Sequence, residues 1–223
     1  MRAVSRILHH CHQARSMRSL WLLHEIGLEF ELVTHAFGPE LYTPEYQKVH
    51  PLSRVPCFVD GEIRLFESGA ICEYLCEQYD PGLLWRWPGH EERAEWLQWL
   101  HYAETIAVHV ANLTQQHIVI REDKDRSPLV MKLEARRLAK ALALIEAALE
   151  GRRYLLSSGF SAVDTGVGYS VYAAQHFVDL ERFPNVAGYL QRSSGRAAFR
   201  KALPPEGATH LYRKPFYAEP GTG

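Results

Sequence analysis

The sequence has few cysteines, and none of them is spaced as in a redox or zinc motif. The four cysteines are Cys11, Cys57, Cys72 and Cys76, with no Cys-x-x-Cys pair among them. We therefore expect neither a dithiol centre nor a zinc finger. Scattered thiols of this kind favour a reducing, cytoplasmic setting.

The sequence also lacks an excess of charge of either sign. It has 25 Lys and Arg against 26 Asp and Glu, a net charge of -1 at pH 7. This balance gives no electrostatic basis for a nucleic-acid partner or for binding to an anionic membrane surface. There is no apolar run long enough to span a bilayer and no apolar leader near the first residue. We therefore expect no membrane segment and no signal peptide.

The chain has 223 residues, of which 47% are hydrophobic, and this is enough to form two globular domains. Proline and glycine cluster between residues 80 and 90 and indicate a linker. We predict a first domain at residues 1–80, a linker at 81–90, a helical domain at 91–203 and an extended tail at 204–223.

Periodicity predicts the order strand, helix, strand, loop, hairpin and helix in the first domain. The corresponding ranges are residues 4–9, 14–26, 28–32, 37–50, 57–66 and 68–79. This order is that of the thioredoxin-like α/β plan. The rest of the chain reads as an all-α domain with helices at residues 91–119, 129–149, 167–177, 186–191 and 196–202. Ser161 and Asp164 have the spacing of a capping box before one of these helices.

Residues 52–73 combine three local signals at one place. Asp60-Gly61 lies between two apolar runs and predicts a hairpin turn. Val55-Pro56 precedes the first hairpin strand, where a proline removes one ladder donor. Ser68 is placed to cap the following helix. A hairpin beside a helix start makes a corner suited to carboxylates.

Three segments together resemble the glutathione transferase family. They are Val55-Pro56 with Glu67-Ser68, the helix Arg15-Ser16-x-Arg18-x-Leu20-Trp21-Leu22-Leu23-x-Glu25-x-Gly27, and Gly159-Phe160-Ser161-Ala162-Val163-Asp164. The resemblance extends over residues 7–202. It implies the two-domain fold, glutathione as co-substrate and a homodimer.

The resemblance also implies roles in glutathione binding. Pro56 would be cis, the Val55 backbone would pair with the cysteinyl part, and Glu67 and Ser68 would hold the γ-glutamyl end. Arg54 would lie near the glycyl carboxylate, assisted by His50. The alternatives are a solvated loop for Arg54 and His50, and simple helix capping for Glu67 and Ser68.

The catalytic position is less clear, because this family uses Tyr, Ser or Cys at the start of the first helix. Counting back from Gly27 leads to Gln13, whose amide can donate a hydrogen bond to a sulfur but cannot exchange disulfides. A shifted register leaves four other candidates. These are Arg15, acting by charge, Ser16, acting as a donor, Cys11, able to form a mixed disulfide, and His12.

Further candidates are interpreted with their alternatives. Tyr102, Ile106 and His109 on the long helix, with Tyr212 and Tyr217 in the tail, are possible acceptor-pocket residues, although aromatic side chains on helices are more often core. His9, His10 and His12 could suggest a metal, and positions 10 and 12 fall on one face of an extended segment, but no carboxylate is near them in the sequence, so we expect no metal.

The leading hypothesis is therefore a glutathione transferase that adds glutathione to an alkyl or aryl electrophile. A glutathione-dependent isomerase or thiol-transfer enzyme using Cys11 is a first alternative. A non-catalytic, transferase-like binding or regulatory protein is a second, since Gln13 replaces the usual residue. The sequence does not name the acceptor.

Overall fold

The computed structural model describes residues 6–218. Its contacts divide the chain into two units. The first runs to His90 and includes Ser194–Leu211, and the second consists of Glu91–Ser193 and the residues from Tyr212 onward. The predicted domain boundaries stay a proposal beside this division.

A four-stranded sheet forms the centre of the first unit, with strand order β2-β1-β3-β4. β1 is parallel to β2 and antiparallel to β3, and β3 is antiparallel to β4. The strands are β1 Arg6–His10, β2 Glu31–Thr34, β3 Cys57–Asp60 and β4 Ile63–Leu65. The first strand was predicted from residue 4, and residues 4 and 5 lie outside the described residues.

Four α-helices accompany this sheet, and α1 packs against both α3 and α8. α1 ends at Ile26, and Gly27, with a φ of 75°, provides its left-handed C-terminal cap. α1 begins two residues later than expected, because residues 12–15 form a turn. The helices are α1 Ser16–Ile26, α2 Pro44–Gln47, α3 Ser68–Tyr79 and α8 Ala197–Ala202.

The predicted hairpin is present, but its turn is one residue further along than Asp60-Gly61. Asp60 pairs with Ile63 as the last residue of β3, so the two turn residues are Gly61 and Glu62. Gly61 alone has the positive φ, at 60°. Asp60 stays in the strand, where Tyr74 and Tyr79 donate hydrogen bonds to its carboxylate.

The second unit is built from helices, and α4 packs against α5 and α6. The predicted capping box is confirmed at the start of α6, where Ser161 N donates to Asp164 Oδ2 over 2.7 Å. Burial raises the pKa of Asp164 to about 6 although its carboxylate is hydrogen-bonded. The helices are α4 Arg93–Thr114, α5 Pro128–Ala148, α6 Ala162–Ala174 and α7 Pro184–Ser194.

The residues after α8 form neither a helix nor a strand within the described part of the chain, and the extended tail at residues 204–223 stays a prediction. They are nevertheless packed. Tyr212 stacks on His176 with ring centroids 4.4 Å apart, and Tyr217 N donates to His176 O over 2.8 Å. Among the helices of residues 6–218, none is both long enough and apolar enough to cross a membrane.

Candidate functional site

Strand pairing brings three chain segments to one edge of the sheet. His9 near the end of β1 pairs with Cys57 at the start of β3, and Phe58 pairs with Leu65 at the end of β4. The turn after β1, the loop before β3 and the start of α3 therefore lie at the same sheet edge. The sequence predicted these segments separately, and the antiparallel pairings explain why they meet.

The Val55-Pro56 peptide bond is cis, as the resemblance implied. The half-buried Val55 packs on an apolar cluster formed by Cys11, Ala14, Leu41 and Tyr46. Tyr46 O–H also donates to the carbonyl of the preceding residue, Arg54, over 2.8 Å. The apolar cluster and the Tyr46 hydrogen bond thus fix the loop before β3 next to the turn after β1.

Glu67 and Ser68 stand at the start of α3, but their roles in capping differ from the prediction. Glu67 holds the N-cap position with φ 64° and ψ 116°, and Ser68 is the first helical residue. Ser68 is 6% exposed, and its Oγ accepts a hydrogen bond from Arg18 Nη1 over 2.9 Å. The hydroxyl of Ser68 is therefore engaged by another helix, and the prediction of Ser68 as the N-cap is wrong.

His50 and Arg54 lie in the loop that leads to the cis proline. His50 is buried, its Nδ1 accepts from Leu52 N over 3.2 Å, and its ring lies 4.3 Å from that of Phe66. Burial lowers the pKa of His50, the nearby Glu67 carboxylate opposes this effect, and Arg54 adds to it. His50, Arg54 and Glu67 are thus electrostatic neighbours, and Arg54 and Glu67 are exposed.

The turn after β1 carries Gln13 and Arg15. Gln13 is 3% exposed and has a φ of 59°, a backbone conformation that is uncommon for a residue with a side chain. Arg15 is half-buried and occupies the N-cap position of α1. Both residues are therefore at the start of α1, where the helix macrodipole favours an anion.

Ser16 and Cys11 are completely buried, and both are used within the turn. Cys11 N donates to Ser16 Oγ over 3.1 Å, and the same hydroxyl lies 2.8 Å from His10 Nδ1. Burial raises the pKa of the Cys11 thiol to about 12, with a further contribution from Glu40. This environment disfavours a Cys11 thiolate and leaves the Ser16 hydroxyl with a structural task.

Comparison with known proteins identifies the family. A family profile described as glutathione S-transferase, N-terminal domain, matches residues 3–77. The glutathione S-transferase F10 of Arabidopsis thaliana is 32% identical over 158 residues, which cover 68% of this chain and 72% of that protein. The chain belongs to the glutathione S-transferase family.

Further glutathione S-transferases match along most of the chain. Glutathione S-transferase 3 of Schizosaccharomyces pombe is 27% identical over 210 residues, which cover 88% of this chain and 86% of that protein. A theta class glutathione S-transferase from the citrus canker pathogen Xanthomonas axonopodis pv. citri, solved with glutathione bound, is 25% identical with a TM-score of 0.77. The match covers 90% of this chain and 98% of that one. The predicted thioredoxin-like domain followed by a helical domain is confirmed.

In this glutathione S-transferase, the three histidines around β1 have separate surroundings. His9 Nδ1 is hydrogen-bonded to His35 Nε2 over 3.0 Å, and His10 contacts Ser16. The ring of His12 meets that of His10 edge-on at 5.3 Å, and burial lowers the pKa of His12, with a further contribution from His210. Within residues 6–218, no three His, Cys, Asp or Glu side chains are grouped so that they could hold a metal ion.

The helical residues proposed for an acceptor pocket make contacts within their own unit. Tyr102 O–H donates to Ala141 O over 3.0 Å, Ile106 is fully buried, and His109 Nδ1 lies 2.7 Å from Glu134 Oε2. The contacts of Tyr102 and His109 join α4 to α5, so both side chains contribute to the packing of these two helices. Their assignment to an acceptor pocket stays a prediction.

The sequence did not predict the strained backbone of the site or two of its supporting side chains. Among residues 6–218, three residues other than glycine have a positive φ, namely Gln13, Ser53 and Glu67. All three lie in the segments that meet at this sheet edge. Arg18 behind Ser68 and Tyr46 behind Arg54 were also missed, because a sequence pattern does not reveal which distant backbone or hydroxyl group a side chain will reach.

Proposed function

We propose that this protein is a glutathione transferase that activates the thiol of glutathione and transfers the tripeptide to a small alkyl or aryl electrophile. The observation that carries this proposal is the meeting of cis Val55-Pro56, Glu67-Ser68 and the start of α1 at one sheet edge. The theta class relative with glutathione bound supports it.

The proposed binding mode matches the charged and polar groups of glutathione to those of the loop before β3 and the start of α3. The α-amino and α-carboxylate groups of the γ-glutamyl residue would be held by the Glu67 carboxylate and by Ser68 at the positive end of α3. The Val55 backbone would pair with the cysteinyl residue. Arg54, which is exposed, would attract the glycyl carboxylate, with His50 at its side.

The proposed thiolate site is the start of α1. A free cysteine thiol has a pKa of about 8.5 and is mostly protonated at neutral pH. The guanidinium of Arg15 would lower that pKa by charge, and the amide of Gln13 would donate a hydrogen bond to the sulfur. Cys11 and Ser16 have less support, because both are fully buried. Arg15→Met and Gln13→Ala would each raise the pKa of bound glutathione, read from the ultraviolet absorbance of its thiolate.

Calorimetric titration with reduced glutathione, and then with S-methyl glutathione, tests the proposed function. We expect both to bind, followed by turnover of an activated aryl chloride with glutathione. Binding of reduced glutathione alone, together with disulfide exchange, would replace conjugation by thiol transfer. Failure of both peptides to bind at millimolar concentration would overturn the enzymatic proposal in favour of a regulatory protein.

The assembly and the setting are further parts of the proposal. We propose a homodimer, as the family resemblance implied, and a cytoplasmic setting, as four buried cysteines that form no disulfide suggest. Sedimentation equilibrium tests the dimer, and a mass equal to the monomer mass at micromolar concentration would contradict it.

A further inference from the structure

A buried arginine lies directly behind Ser68. Arg18 is 4% exposed, and its Nη1 donates to Ser68 Oγ over 2.9 Å. The two residues are 50 positions apart in sequence, on the first turns of α1 and α3, which pack together. A hydrogen bond thus joins the starts of two helices. We have proposed that α1 stabilises the thiolate and that α3 binds the γ-glutamyl end of glutathione.

The chemistry of this pair fixes the direction of hydrogen bonding. A guanidinium has only donors, whereas a serine hydroxyl has one hydrogen and two lone pairs. Because Arg18 donates to one lone pair of Ser68, the single O–H hydrogen of Ser68 is left to donate elsewhere. Ser68 is therefore set as a donor, and an acceptor at the start of α3 is its natural partner.

The charge of Arg18 acts in the same direction. A hydroxyl that receives a hydrogen bond from a cation becomes a stronger donor to an anion, and charge-assisted bonds are about twice as strong as neutral ones. The low exposure of both side chains limits the screening of this effect by water. Cation, hydroxyl and anion would then form one continuous chain of hydrogen bonds.

Resting on the proposed function, we propose that Arg18 is a positioning residue for the α-carboxylate of the γ-glutamyl group. Arg18 does not touch the ligand. It holds Ser68 as a donor and places a positive charge behind it, so that a carboxylate at the start of α3 is favoured over a neutral group. The site thereby selects peptides that carry this carboxylate.

A role confined to helix packing predicts a different pattern, and a second peptide separates the two. γ-Aminobutyryl-cysteinyl-glycine lacks the α-carboxylate and retains the thiol and the glycyl end. A packing defect at Arg18 weakens the binding of both peptides alike. Loss of carboxylate recognition weakens only the binding of glutathione.

The experiment is calorimetric titration of both peptides into the wild type, Arg18→Met, Ser68→Ala and the double variant. We expect Arg18→Met to weaken glutathione binding about tenfold, the size typical of a hydrogen bond involving a charged group. Binding of the decarboxylated peptide should change less than threefold. In the Ser68→Ala background, Arg18→Met should have a much smaller effect, since the hydroxyl through which it acts is absent. Arg136→Met, an exposed position on α5, is the control and should bind both peptides like the wild type.

The outcomes separate this inference from the proposed function. If the wild type binds neither peptide, the proposed function fails and this inference falls with it. If the wild type binds glutathione but Arg18→Met weakens both peptides equally or neither, the inference alone is overturned. Should Arg18→Met lose its cooperative thermal unfolding, Arg18→Gln replaces it. That variant keeps a donor without the charge, and a selective loss of about threefold for glutathione is expected.

Discussion

Arg196 holds the carboxylate of Glu25 with two hydrogen bonds, from Nε to Oε1 over 2.6 Å and from Nη2 to Oε2 over 2.8 Å. Trp21 Nε1 donates to the same carboxylate over 2.8 Å. The Glu25 side chain is 9% exposed, so it is a largely buried acid that depends on these donors. The pair joins α1 to the start of α8 across 171 positions in the sequence.

Removing Arg196 should destabilise the protein because it leaves a largely buried carboxylate without its guanidinium. We expect Arg196→Ala to lower the free energy of unfolding by about 2 kcal/mol, and Arg196→Lys by about half as much. Urea denaturation measures both changes. Asp123→Ala is the control, because the Asp123 side chain is 90% exposed in its pair with Arg126, and it should cost less than about 0.5 kcal/mol. An equal loss in Arg196→Ala and the control would contradict this assignment.

Local signals were sufficient for the fold class and for the capping box of Ser161 and Asp164, whereas the cis bond at Pro56 was implied by the family resemblance. Each local signal depends on residues adjacent in the sequence or a few positions apart. The bond between Glu25 and Arg196 had no such signal. The two residues are far apart in the sequence. A chain with 25 basic and 26 acidic residues offers many other pairs of opposite charge.

The candidate site was predicted only in part, for a related physical reason. The corner of Val55, Pro56, Glu67 and Ser68 follows from hairpin and helix signals. The backbone of Gln13 runs against its local preference, since φ values above zero are unfavourable for residues other than glycine. Local propensity therefore predicted an earlier helix start, and surrounding contacts impose the turn instead.

Substitution of Glu67 tests whether its backbone is strained and whether its carboxylate contributes to glutathione binding. Glu67→Ala and Glu67→Gly both remove the carboxylate, but only glycine adopts a φ of 64° at little cost. We expect Glu67→Gly to be about 1 kcal/mol more stable than Glu67→Ala. Both should bind glutathione about tenfold more weakly. Chemical denaturation and calorimetry measure the two effects, and an alanine variant as stable as the glycine variant would argue against strain at this position.

Cys11 offers a test of the thiol-transfer alternative. With a pKa raised to about 12 by burial, about one Cys11 side chain in ten thousand is a thiolate at pH 8. We expect iodoacetamide to leave Cys11 unmodified in the folded protein and to modify it after denaturation, as followed by mass spectrometry of peptides. Cys11→Ala should keep its turnover with glutathione within about twofold. Rapid alkylation of the native protein, with loss of turnover in Cys11→Ala, would restore the alternative.

His10 should make the protein sensitive to acid. Burial lowers its pKa from 6.5 to about 3, with further contributions from His12 and His35. As the pH falls below 6.5, the unfolded chain binds a proton at this position and the folded chain does not. The free energy of unfolding should therefore fall by up to about 1.4 kcal/mol per pH unit from this residue alone.

Urea denaturation between pH 7 and pH 5 measures this effect. His10→Asn keeps a hydrogen-bonding side chain beside Ser16 but cannot titrate in this range. It should be less stable than the wild type at pH 7 and should lose less stability on acidification. His101→Gln changes an exposed histidine and should follow the wild type at every pH. If His10→Asn and the wild type lose stability in parallel, the acid sensitivity arises elsewhere. His9 would then be the next residue to substitute, because burial, with contributions from His35 and Arg64, lowers its pKa to about 4.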